Sequence, residues 1–229
     1  MATAIGRTRE RAGLAVSCLL LITAGIRVAE AQRLFPSDVE LEDVVEIEIM
    51  GRDVLAFDAM GAGSRSFRLE IGEEIVWYEV AGRVGIVATT ARLMGVSADG
   101  GSWNELRYGV HETPPERILV GTRVALTVTD KRIIGYDSRA GLWLVRDVGP
   151  HETVRVVRVG AGTGVVVTDR TAYGLSPDAG GFLATPMQIH ETLDSVRVSA
   201  NMATVNTSKR LLVFRAPTGA WTVEDRPIH

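Results

Sequence analysis

The sequence predicts an all-β chain built from five copies of one unit of about 39 residues. Three observations carry this reading. The only four histidines, His111, His151, His190 and His229, stand 40, 39 and 39 residues apart, and the first three each open the tripeptide His-Glu-Thr. An aromatic stands eight residues before every histidine, at Trp103, Trp143, Phe182 and Trp221. The intervals are filled with β-branched segments bounded by Gly, Asp, Pro and Ser, the pattern of short strands joined by tight turns. No stretch after the leader shows a convincing helical period. A constant spacing near 39 marks a repeat architecture.

The first element is a leader, to be set aside before fold reasoning. Arg7, Arg9 and Arg11 precede an uncharged stretch of 15 residues, Ala12 to Ile26. A membrane-spanning helix needs roughly 20 apolar residues. Val28-Ala29-Glu30-Ala31 places small residues at −3 and −1 of a signal-peptidase site, so cleavage is expected after Ala31 and residues 1–31 read as a signal peptide. An uncleaved anchor is the alternative. Arg7-Thr8-Arg9 is not a twin-arginine pair, and Cys18 follows Ala15-Val16-Ser17 rather than a lipobox.

The chain expected after processing, residues 32–229, has no cysteine, which removes disulfides and thiolate metal sites. The leader carries four Arg and two Glu, so its loss takes the net charge from −3 to about −5. A mildly acidic exported chain has no electrostatic case for nucleic acid. Only Lys131 and Lys209 among the 25 basic residues are lysine, a bias attributed to a GC-rich bacterial genome.

Aligned on the histidines, Val84 to Thr89 matches Val124 to Thr129, Gly164 to Thr168 and Ala203 to Thr207. A polar turn with a basic residue follows: Thr90-Ala91-Arg92, Asp130-Lys131-Arg132, Asp169-Arg170 and Ser208-Lys209-Arg210. A short apolar run leads to a glycine turn around Gly101, Gly141, Gly180 and Gly219, two residues before each aromatic. Extending the ruler backward finds Gly72-Glu73-Glu74 where His-Glu-Thr would stand. Val45 to Ile49 and Val54 to Asp58 then become strands of a degenerate first copy, with Phe67 as a displaced aromatic. The copies fall at 33–72, 73–111, 112–151, 152–190 and 191–229 of a single domain, 32–229. Strands of the third copy are expected at 117–120, 123–129, 132–136 and 142–148.

Four short antiparallel strands in about 40 residues is one propeller blade. The chain resembles the β-propeller superfamily, with five four-stranded antiparallel blades. A β-trefoil has three such repeats, and a parallel solenoid has shorter coils. The ruler starts near Asp38 with an inner-strand equivalent and ends at His229 after an outer strand, which leaves two readings: closure by packing of the first blade against the last, or a strand phase shifted by one.

In WD-repeat propellers a histidine, an aspartate, a Ser/Thr and a tryptophan form a hydrogen-bonded cluster within each blade. The resemblance implies that His151, Asp130, Thr129 and Trp143 group together, and likewise His190, Asp169, Thr168 and Phe182, although Phe182 has no indole N–H. On this reading His111, His151, His190, Asp130 and Asp169 are structural positions, because a buried polar group needs partners in every blade. The alternative is a metal ring of His111, His151 and His190 with Glu112, Glu152 and Glu191 behind it. No His-Glu-x-x-His helix supports it, since Thr113-Pro114-Pro115 follows His111-Glu112.

The aromatic column Trp103, Trp143, Phe182 and Trp221 offers a second kind of site, stacking on sugar rings with avidity from repetition, as in tachylectin-type five-bladed lectins. The competing reading makes these residues core between blades. The first two copies depart most from the pattern, through Arg65, Arg68, Glu70, Glu73, Glu74, Trp77, Tyr78 and Glu79. Binding there would involve Glu73, Glu74, Trp77 and Tyr78. Gly160 to Gly164 is glycine-rich but precedes a strand, so it fails as a dinucleotide loop, and no cofactor is expected.

The expected function is that of an exported platform, periplasmic or secreted, for a protein or carbohydrate partner, with no membrane span after processing. The alternative is a metal- or carboxylate-dependent hydrolase on the same scaffold, between which the fold does not choose.

Overall fold

The computed structural model describes residues 43–61 and 63–226; the leader, Cys18, Asp38 and His229 lie outside them. The regular structure of the described residues is all strand apart from one 3-10 turn at Ala216–Thr218. β1 (Val45–Met50), β2 (Asp53–Asp58) and β3 (Ser64–Arg68) form a three-stranded antiparallel sheet. Four four-stranded sheets follow. The second contains β4 (Ile75–Ala81), β5 (Val84–Thr89), β6 (Arg92–Ser97) and β7 (Asn104–Arg107). The third contains β8 (Ile118–Val120), β9 (Val124–Val128), β10 (Arg132–Asp137) and β11 (Leu142–Asp147). β12 (Val154–Val159), β13 (Gly164–Thr168), β14 (Thr171–Ser176) and β15 (Gly181–Pro186) make the fourth. β16 (Leu193–Val198), β17 (Met202–Thr207), β18 (Arg210–Arg215) and β19 (Ala220–Asp225) make the fifth.

Every strand pairs only with its chain neighbours, and every pairing is antiparallel. The apolar clusters lie between consecutive sheets: Val84, Ile86, Ile134 and Tyr136 join the second to the third, and Val165, Val167, Val205 and Phe214 join the fourth to the fifth. These are the blades of a β-propeller. The third blade has its strands where the spacing predicts them, within a residue or two at each end. The first blade differs from the expected four strands, with three among the described residues. Its β1 aligns with β5, the second strand of the next blade.

Two repeated devices hold neighbours together. The turn between the first two strands of one blade reaches the same turn of the next: Val44 N–H bonds Gly82 O (2.8 Å), Arg83 bonds Thr122 O (2.9 Å), Arg123 bonds Ala161 O (2.7 Å) and Gly162 bonds Ala200 O (2.9 Å). Deeper in, a large side chain of each blade lies on a small residue of the blade before it. A Cβ on Gly95 would stand 2.4 Å from the Tyr136 ring, on Gly135 2.5 Å from Leu175, and on Gly174 2.6 Å from Phe214. Ala56 and Val96 repeat this between the first two blades. All three large residues are fully buried, so the glycines are there for close approach.

Gly135→Ala is therefore expected to destabilise the chain by about 1–3 kcal/mol through overpacking. Gly181→Ala, with open space around its Cβ, should change little. Urea unfolding of the two variants checks this.

Candidate functional site

Each blade after the first opens with a turn whose glutamate leaves solvent. The Glu112 side chain is 1% exposed. Its carboxylate accepts the Gly109 N–H (2.6 Å), the Thr129 hydroxyl (2.5 Å) and Arg132 Nε (2.8 Å), and pairs again with Arg132 Nη2. Arg132 Nη2 also reaches Arg107 O at the end of the preceding blade (3.1 Å). Glu191 repeats the set with Gln188 N–H, Thr207, Arg210 and Pro186 O. Glu73 repeats it with Glu70 N–H, Thr89, Arg92 and Arg68 O. One guanidinium thus ties a blade's leading turn and third strand to the last strand of its neighbour. Burial alone would raise these carboxyls, but the bonds from Arg and Thr outweigh it and hold Glu73, Glu112 and Glu191 below the ordinary carboxylate value.

The fourth blade departs from this. Thr171 stands where the others have Arg92, Arg132 and Arg210. Glu152 keeps Thr168 (2.6 Å) and the Gly149 N–H (3.3 Å), with the Tyr173 hydroxyl at 3.5 Å. Its residue is half-buried, whereas the other three glutamates are buried.

The histidines occupy a different place from the one expected of blade staples. His111, His151 and His190 are exposed, and His111 and His190 have φ of 58° and 57°. The matching residue of the second copy is Gly72, φ 79°. In these three copies the position serves the left-handed turn that aims the next residue, glutamate, inward; His151, in the blade whose glutamate is only half-buried, does not share that backbone. Asp130 and Asp169 do lie beside the leading turns, accepting the Thr113 N–H (3.2 Å) and Thr153 N–H (2.9 Å); Ser208 accepts from Thr192 (3.0 Å). Among the described residues no three His, Cys, Asp or Glu side chains converge as a metal-ligand group.

The tryptophans bridge blades. Trp103 donates to Arg65 O (3.1 Å), Trp143 to Asn104 O (3.1 Å) and Trp221 to Leu183 O (2.9 Å), each in the preceding blade. Trp143 therefore does not join His151, Asp130 and Thr129. Phe182, with no N–H to place, is buried against Gly135. In the first two copies Arg65 pairs with Asp58, Arg68 lies 3.7 Å from Asp53, Glu70 pairs with Arg107, and Trp77 packs into the core. Glu74, Tyr78 and Glu79 are exposed.

A cleft with a volume of about 830 Å³ lies at the start of the third blade. β8 has three residues where β4, β12 and β16 have seven, six and six. The cause is Pro114-Pro115: neither residue has an N–H to give to β9, and prolines suit only unpaired or edge backbone. The unpaired stretch leaves a cleft with half-buried Leu119, Val128 and Val157 on its walls and exposed Glu79, Glu116, Arg117 and Arg158 around them. Of the candidate site and cluster residues singled out from the sequence, Glu79, Thr129 and Asp130 line it. Arg117 and Arg158 were missed. The available signal was the 40-residue spacing from His111 to His151, one longer than the rest, together with the proline pair.

No protein-family model matches the chain, and no curated protein matches it in sequence. Among solved structures, the chain is similar to Prp20p from Saccharomyces cerevisiae, at 7% identity and a TM-score of 0.40, over 75% of this chain and 55% of that one. It is also similar to Hsv2 of Kluyveromyces lactis, at 10% identity and a TM-score of 0.37, over 82% and 74%. The chain thus spans little more than half the length of Prp20p. Among the described residues no helix is long and apolar enough to cross a membrane.

Glu112→Gln should cost about 2–3 kcal/mol, because it removes a buried carboxylate and leaves the half-buried Arg132 guanidinium without its charge partner. His111→Gly should be neutral or slightly stabilising, since glycine relieves the positive φ. Chemical denaturation of both variants checks the assignment of the latch to glutamate.

Proposed function

We propose that this chain is an exported binding platform that holds an extended segment of a partner protein in the cleft of the third blade. The observation that carries the proposal is the coincidence of the third-blade cleft with a break in the repeat. Residues that keep the blades together recur from copy to copy, whereas Pro114, Pro115 and Arg117 belong to one copy alone. Half-buried aliphatic walls between charges of both signs suit a strand-like segment alternating apolar and charged side chains. Short inner strands are edges, and edges recruit extended chain. None of the described residues lining the cleft is aromatic. A sugar would find no stacking face there, and the column tryptophans spend their N–H groups on the neighbouring blade. Export rests on the leader at residues 1–31.

A peptide-display selection against the purified protein tests this. Selected peptides are expected to lose affinity roughly tenfold or more in Arg117→Glu/Arg158→Glu, by reversal of close charge pairs. Peptides indifferent to that change and to Leu119→Asp would overturn the site. Glycan binding abolished by Trp143→Ala would replace a protein partner with a carbohydrate.

A further inference from the structure

The histidine column has a companion that neither the latch nor the cleft uses. The residue just before it is apolar in every copy: Ile71, Val110, Pro150 and Ile189, with Ile228 in the same place in the sequence. Ile71, Val110 and Ile189 are 93%, 81% and 80% exposed, more than any other large apolar side chain among the described residues. A side chain so exposed contributes little to folding, so its return at each leading turn calls for a use at the surface. The lysines supply a second, independent observation. The chain has two, Lys131 and Lys209, and they hold the same repeat position. Each donates its Nζ to the carbonyl of an apolar tip, Lys131 to Val110 O (2.6 Å) and Lys209 to Ile189 O (2.6 Å). Arg170 holds that position in the blade of Pro150. An ammonium with three donors keeps two free for an anion after bonding the carbonyl.

We infer that the face of leading turns rests on an anionic lipid surface, its aliphatic tips entering the boundary between headgroups and acyl chains and its lysines meeting the phosphates. The tips are single side chains one blade apart rather than one continuous patch. They suit a partner that offers apolar depth and negative charge at many equivalent points. A bilayer does so, and interfacial binding combines these two terms. Of the carboxylates nearby, Asp130 and Asp169 already accept backbone N–H groups, and Glu74 is exposed. Thr113 and Asp130 of the cleft are near neighbours in the chain of Val110 and Lys131, so the two sites adjoin at the third blade.

Flotation of the full protein with vesicles of phosphatidylglycerol and phosphatidylethanolamine, against phosphatidylcholine alone, tests the inference. The protein should float with the anionic vesicles only. Ile71→Asp/Val110→Asp/Ile189→Asp and, separately, Lys131→Glu/Lys209→Glu should each weaken that binding roughly tenfold or more. Both sets are surface changes that should leave the unfolding midpoint nearly unmoved. Absence of flotation with anionic vesicles overturns the inference, and so does flotation that the tip variants leave unchanged. Loss of a soluble protein partner in the tip variants, without vesicle binding, would reassign the face to protein contact.

Discussion

A carboxylate taken out of water must be given donors, and each blade after the first takes one in at its leading turn. Glu73, Glu112 and Glu191 receive a backbone N–H, a threonine hydroxyl and a guanidinium, and the same guanidinium reaches a carbonyl of the blade before. The latch therefore couples each blade to its neighbour and to nothing further away. Stability in such a chain is a sum of blade terms and nearest-neighbour joints, as in repeat proteins generally. Removing one partner strands a buried charge, which ties the integrity of a joint to a single residue pair.

The joints are not equivalent. The apolar side of each repeats one rule, a large residue on a glycine or alanine. The polar side is complete at three joints and lacks its arginine where the fourth blade meets the third, at Glu152 and Thr171. Most of the cleft is lined from the same two blades, through Arg117 and Leu119 on one and Val157 and Arg158 on the other, with Glu79 of the second blade beside them. Loss of the arginine and loss of strand pairing thus fall at neighbouring places. The regular joints build a scaffold, and the irregular one leaves room for a ligand.

The period, the strand positions of the third copy and the glycine turns were legible because periodicity depends only on spacing. The latch was half legible. His-Glu-Thr recurs as a block, and three columns of constant identity look alike when read along the chain. The discriminating copy was Gly72-Glu73-Glu74, where histidine becomes glycine and glutamate persists. Gly and His are interchangeable where only a left-handed backbone is needed, whereas a buried carboxylate has no substitute. The tryptophans were legible as core between blades, but their hydrogen bonds cross to a neighbour 38 or 39 residues away, which a reading confined to one blade misses. The cleft was marked by Pro114-Pro115 and one extra residue. Its walls come from three blades, and no local pattern brings Glu79, Arg117 and Arg158 together.

The central claim, that buried glutamates latch the blades, is tested most directly by stability as a function of pH. Glu112 sits below its ordinary value of 4.5 in the folded chain, held there by Arg132 and Thr129 against the cost of burial. Between its folded and ordinary values the unfolded chain binds more protons, so stability rises with pH through that window. The latch contributes fully above about pH 4.5 and is lost as pH falls through the folded value. Urea unfolding from pH 7 to pH 3 should show this acid loss in the native chain and a shallower one in Glu112→Gln. Identical acid limbs in the two proteins would contradict the claim.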